Sequence, residues 1–134
     1  MSEINTYFKR YHKTNNFFDY LRILSFYDSS VFTQVKELLP AFFEKFPTAR
    51  HLLNSDRETI AEMLKDIGMK NVRADRIYRM SQDYLNWDGN DATKLFGIGK
   101  YGSDSYEIFY KNNIPKNVQD KELKRYIREE LDVV

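Results

Sequence analysis

Three glycines, Gly97, Gly99 and Gly102, fall within six residues in the run Lys94-Leu95-Phe96-Gly97-Ile98-Gly99-Lys100-Tyr101-Gly102-Ser103-Asp104-Ser105-Tyr106. No other stretch of the chain restricts its fold so strongly. Glycine reaches positive φ without a Cβ penalty, so this spacing predicts a tight turn with a backbone that a ligand can approach. Ile98, between two of the glycines, is placed to plug the turn into a core, and Ser103 is placed to cap the helix that follows. Successive backbone N–H groups at such a helix start suit a phosphate. Gly-x-Gly alone also fits a structural corner between helices; helix, Leu-x-Gly-Ile-Gly and helix together are far more restrictive.

Around this turn the pattern is helical nearly throughout. Phe17, Phe18, Leu21, Leu24 and the pair Phe26/Tyr27 recur at spacings near three and four, predicting a helix over 17–27. Val35, Leu38, Leu39, Phe42 and Phe43 predict another over 31–45, with Pro40 expected to kink it or mark a join. Thr48 can cap a short helix through Leu53. Ser55-Asp56-Arg57-Glu58 has the form of a capping box for a helix bearing Ile60, Met63, Leu64 and Ile67, stopped by Gly68. Asn71 can cap a helix over 72–85 that turns Ile77, Met80 and Tyr84 inward and Arg73, Arg76 and Arg79 outward. A turn at 86–90 and short helices at 91–96, 103–111 and 119–131 complete the chain. Strand-like alternation and internal repeats are absent, so the expected class is all-α, one domain over 1–134.

Charge is distributed unevenly. Residues 69–128 hold 12 Lys/Arg against 8 Asp/Glu, a local +4, whereas residues 37–66 hold 4 against 6, a local −2. A basic half on a chain of net charge +1 points to a face that meets phosphates, although a solvated helix surface would read the same way. The sequence has no Cys, which excludes disulfides, a cysteine nucleophile and a thiolate-held iron–sulfur cluster within it. His12 and His51 are isolated and suggest no metal site. No apolar run approaches the ~20 residues needed to cross a bilayer, and no membrane role is expected.

The segment 94–106 resembles the helix-hairpin-helix motif of the DNA glycosylases that share endonuclease III's fold. Gly-Ile-Gly-Lys-Tyr-Gly-x-Asp-Ser-Tyr-x-Ile-Phe at 97–109 is most similar to the catalytic domain of the methyl-CpG-binding thymine DNA glycosylases. The similarity continues upstream in Phe43-Glu44-Lys45-Phe46-Pro47-Thr48-Ala49, Leu64-Lys65-Asp66-Ile67-Gly68-Met69, Arg73-Ala74 and Tyr84-Leu85. It continues downstream in Asp120-Lys121-Glu122-Leu123-Lys124-Arg125-Tyr126.

The resemblance implies a compact helix-hairpin-helix glycosylase fold without an iron–sulfur cluster, acting in base excision repair on double-stranded DNA. It implies that Asp120 is the catalytic aspartate, which follows the hairpin by about twenty residues in this family. Breaking an N-glycosidic bond builds positive charge on the sugar, and an ionised carboxylate beside C1′ stabilises it or activates a water. Asp120 alone would serve equally as a helix cap. Tyr101 stands where strand-nicking relatives carry a Lys, and a Tyr cannot form their Schiff base. The implied enzyme is therefore monofunctional, with Tyr101 lining a pocket for thymine or uracil opposite guanine.

Met69 matches an apolar wedge that offsets the cost of flipping a nucleotide; filling a core gap is its ordinary alternative. The implied DNA contacts are Gly97, Ile98, Gly99, Lys100, Gly102 and Ser103 of the hairpin, with Arg73 and Lys121. Arg76, Lys111 and Lys124 are further phosphate candidates. Relatives fill the gap left by the flipped base from a turn that reads Phe26-Tyr27-Asp28-Ser29-Ser30-Val31 here, which assigns Tyr27 and Ser29 to DNA and leaves Asp28 as a departure. No cofactor is required; a monovalent cation, Na+ or K+, at the hairpin carbonyls is what the family implies. The expected state is a monomer, inside a cell and associated with DNA, in the nucleus of a eukaryote or otherwise in the cytoplasm. The alternatives are a non-catalytic helix-hairpin-helix module and a glycosylase for another lesion.

Overall fold

The computed structural model describes residues 32–131; the helix expected over 17–27, the turn with Tyr27 and Ser29, and His12 lie outside them. Among the described residues every regular element is helical. α1 (Phe32–Lys45) runs unbroken through Pro40, which sits exposed and marks no join. One face of α1 carries Val35, Leu39 and Phe42 into the core, where Phe42 meets Phe46 edge-on at 5.1 Å. α2 (Ala49–Leu53) starts at Thr48 as expected, the Thr48 hydroxyl accepting the His51 N–H at 3.2 Å.

α3 (Arg57–Met63) begins one residue later than the expected capping box. Asp56, not Ser55, is the N-cap, and its carboxylate accepts the Thr59 N–H at 2.7 Å. Ionised Asp at this position also interacts favourably with the helix dipole, so it outcompetes the neighbouring hydroxyl. That hydrogen bond holds the Asp56 carboxyl below its ordinary pKa. A 3₁₀ turn, Lys65–Ile67, then leads to Gly68.

α4 (Lys70–Leu85) is the longest of these helices and packs against both α2 and α3. It starts two residues before the expected point. Met69 takes the N-cap position without a side-chain cap, and Asn71 lies within the first turn. A 3₁₀ turn at Ala92–Lys94 replaces the short helix expected over 91–96, with Asp91 capping it. α5 (Lys100–Phe109) and α6 (Lys121–Glu130) follow. Phe42, Phe46, Leu39, Leu52, Ile60 and Leu64 are the largest fully buried side chains, in one cluster that extends to Ile98 of the hairpin and Leu123 of α6.

Two aromatic side chains, Trp87 and Tyr106, lock the turn after α4 onto α5. Trp87 donates its indole N–H to the Asn90 carbonyl at 2.9 Å, and its ring lies 5.2 Å from that of Tyr106. The Tyr106 hydroxyl donates to the Gly89 carbonyl at 2.8 Å. Burial raises the Tyr106 pKa, so the phenol keeps the proton that this bond needs. Lys111 reaches back to Asn90 Oδ1 at 3.1 Å with its ammonium over the Tyr106 ring. The scaffold behind the hairpin is thus fixed before any ligand arrives.

Candidate functional site

The hairpin is built as its sequence requires, by one glycine more than by three. Leu95 is buried and extended; Gly97 has φ 82°; Ile98 is 7% exposed, with its N–H on the Leu95 carbonyl at 3.1 Å. Gly99 is extended rather than left-handed, and Gly102 is buried within α5. Gly99, not Ser103, occupies the N-cap of α5; Ser103 lies in the helix and donates its N–H to the Gly99 carbonyl at 3.0 Å. No side chain caps this terminus, and the first amides of a helix have no intrahelical acceptor. Such a terminus favours an anion through both its N–H groups and its dipole.

The turn is held from outside by an acid that sequence reasoning did not select. Asp83, on the last turn of α4, accepts the Phe96 N–H at 2.9 Å. Arg79 lies over the Phe96 ring and pairs with Asp75 at 3.2 Å, while the Arg76 stem crosses Gly97. A Cβ at Gly97 would sit 3.0 Å from Arg76 Cγ and 3.2 Å from Cδ. Gly97→Ala is therefore expected to cost about 1–2 kcal/mol from the left-handed φ alone, and to weaken duplex binding as Arg76 moves aside. A thermal melt and a binding isotherm on the same sample check both halves.

Lys100 is not a bare cation. Its ammonium pairs at 3.0 Å with Asp104, one helical turn on, whose side chain is almost fully buried. The i,i+4 spacing was visible in the sequence, but the burial of Asp104 was not. Lys121 and Lys124 are exposed on α6.

Asp120 is the N-cap of α6, with Oδ1 accepting the Leu123 N–H at 2.9 Å and the carboxyl group half-buried. α6 packs on the hairpin helix through Tyr126 against Phe109, ring centres 5.0 Å apart, and its Leu123 is fully buried. Capping and chemistry are compatible here. One oxygen is fixed by the backbone, which orients the carboxylate without consuming its charge. Tyr101 stands in the first turn of α5, half-buried against the core.

Met69 departs most from ordinary packing. It is 66% exposed and left-handed, φ 52° and ψ 41°, directly after Gly68 at φ 78° and ψ 161°. Exposure removes the core-gap alternative. Arg73, expected on the outer face, is instead 6% exposed and donates Nε–H to the Gly68 carbonyl at 2.9 Å. Arg73 lies at i, i+4 and i+7 with Ile77 and Met80, so the helix turns it inward with them.

The HhH-GPD superfamily of base excision DNA repair proteins matches residues 30–130. The chain belongs to that superfamily. Membership makes DNA the macromolecule on which such a domain acts. The chain is also 30% identical over 80 residues to a methyl-CpG-binding domain protein 4-like protein of Arabidopsis thaliana. That match takes in 60% of this chain and 18% of the plant protein's length. No described helix is long and apolar enough to cross a membrane.

Proposed function

We propose that this protein is a monofunctional DNA glycosylase that flips thymine or uracil, opposite guanine, out of duplex DNA and hydrolyses its glycosidic bond. The observation that carries this reading is a half-buried carboxylate fixed at the start of α6, on a helix packed against the one the hairpin opens. The hairpin amides grip a phosphate, supported by Lys121 and Lys124. Met69 enters the stack where the nucleotide leaves. Tyr101 lines the pocket that receives the base. As the bond between C1′ and the base nitrogen breaks, Asp120 offsets the charge on the sugar; the water oxygen joins C1′, and the departing base gains a proton. The protein acts on double-stranded DNA as a monomer, in the compartment that holds the DNA, with a monovalent cation at the hairpin carbonyls.

The test is base release from labelled duplexes containing G·T or G·U, with and without alkali. Strand cleavage only after alkali supports the reading. Cleavage without alkali overturns the monofunctional part, and clear binding with no release from either mismatch overturns the substrate. Tyr101→Lys is expected to add weak strand nicking, because a lysine amine can attack C1′ where a phenol cannot. Borohydride should then trap the protein on DNA, and an untrapped variant with normal binding would place residue 101 away from the sugar.

A further inference from the structure

We propose that Arg73 is a positioning residue, holding the Gly68 carbonyl and through it the left-handed Gly68–Met69 pair that presents Met69 to the duplex. The inference rests on the wedge reading of Met69 given above. Two consecutive residues at positive φ are an unstable way to enter a helix, since a non-glycine residue disfavours that region and persists there only when its surroundings impose it. Gly68, at φ 78° and ψ 161°, occupies a region open essentially to glycine alone. Neither it nor Met69 is held by packing, because both are exposed, and no side chain caps the helix start.

What fixes the pair is residue 73. The Arg73 backbone N–H donates to the Met69 carbonyl at 2.9 Å, and its Nε–H donates to the Gly68 carbonyl at 2.9 Å. Both carbonyls of the strained pair are thus directed at one residue. That residue is an arginine at 6% exposure on a helix whose other buried residues are Ala74, Ile77, Met80 and Ser81. Burying a cation there is costly unless it has a directed task, and a guanidinium aimed at a carbonyl in a glycine-only conformation supplies one. The Gly68 carbonyl would otherwise be free to rotate, carrying the Met69 side chain away from its outward course.

The probe is a duplex carrying a tetrahydrofuran abasic-site analogue opposite guanine, with 2-aminopurine beside it, whose fluorescence rises when a wedge unstacks it. This readout needs no base release and does not depend on which lesion is the substrate. Met69→Ala is expected to cut the protein-induced rise about fivefold, and Arg73→Met, which keeps length but loses the donor, to match it. Arg73→Gln places an amide nitrogen at the same position along the side chain as Nε and is expected to restore most of the rise. The double variant Met69→Ala/Arg73→Met should lose no more than either single one.

A full rise in Arg73→Met alongside a lost one in Met69→Ala overturns the role of Arg73 and leaves the wedge standing. A full rise in Met69→Ala overturns the wedge reading itself. Arg73→Gln failing as badly as Arg73→Met, with both folded by circular dichroism, also overturns the proposal. Should Arg73→Met not fold, Gly68→Ala tests the same loop from its other side. Its methyl meets open space, so only the dihedral is disturbed, and an undiminished rise there would be decisive against the proposal.

Discussion

Asp120→Asn is expected to lower base release by about a thousandfold or more while leaving duplex binding and stability nearly unchanged. The separation follows from the two tasks of this side chain. As the N-cap of α6 it gives one oxygen to the Leu123 N–H, and Asn performs that task as well as Asp does. Losing the charge near the helix dipole costs only about 0.5 kcal/mol, a shift of about 2 °C in the melting temperature. What Asn cannot do is carry a negative charge beside a sugar that is becoming positive. Asp120→Ala, by contrast, loses the cap as well and should give up about a further 1 kcal/mol of stability. Single-turnover release, a binding isotherm and a thermal melt on all three proteins make the comparison. Retained turnover in Asp120→Asn would reduce Asp120 to a helix cap and sink the catalytic assignment.

What was legible in the sequence was local. The hairpin announced itself because its glycines, its apolar plug and its flanking helices lie within a dozen residues, and the plug does enter the core. The caps were less legible wherever neighbouring residues competed. Ser55 and Asp56 both suit an N-cap, and the charge of Asp56, which accepts the Thr59 N–H, decides for it. Ser103 and Asn71 likewise look like caps. Their helices begin earlier, at Lys100 and Lys70, with Gly99 and Met69 as N-caps that carry no side-chain cap.

The outer face assigned to Arg73, Arg76 and Arg79 shows where spacing misleads. Three residues turn a helix by about 300°, so Arg73 and Arg79 lie about 120° apart rather than on one stripe. The same arithmetic places Arg73 within about 40° of both Ile77 and Met80. Its burial was therefore available from the sequence, had the charge not argued for solvent. The Asp83 bond to Phe96 was not available, because it joins residues on either side of a turn whose path depends on Trp87 and Tyr106. Lys111, a phosphate candidate by charge, is likewise drawn to Asn90 by that turn.

Ile98→Ala is expected to destabilise the protein by about 2–3 kcal/mol and to weaken duplex binding about tenfold or more at temperatures where the rest of the domain stays folded. Ile98 is the only side chain between the two hairpin glycines, and it is the group that ties their flexible backbone to the core. Glycine supplies the left-handed turn at Gly97 but resists no alternative conformation, so the plug must select the bound one. The matching control is Ile60→Ala. Ile60 is fully buried on α3 in the same core, outside the hairpin, and its truncation should cost a similar amount. Both variants should melt about 10 °C lower. Measured well below either transition, Ile60→Ala should keep its affinity for duplex DNA, whereas Ile98→Ala should lose about tenfold or more through the disordered amides. Equal losses would mean that affinity follows global stability, and full affinity in Ile98→Ala would move the phosphate contact away from the hairpin.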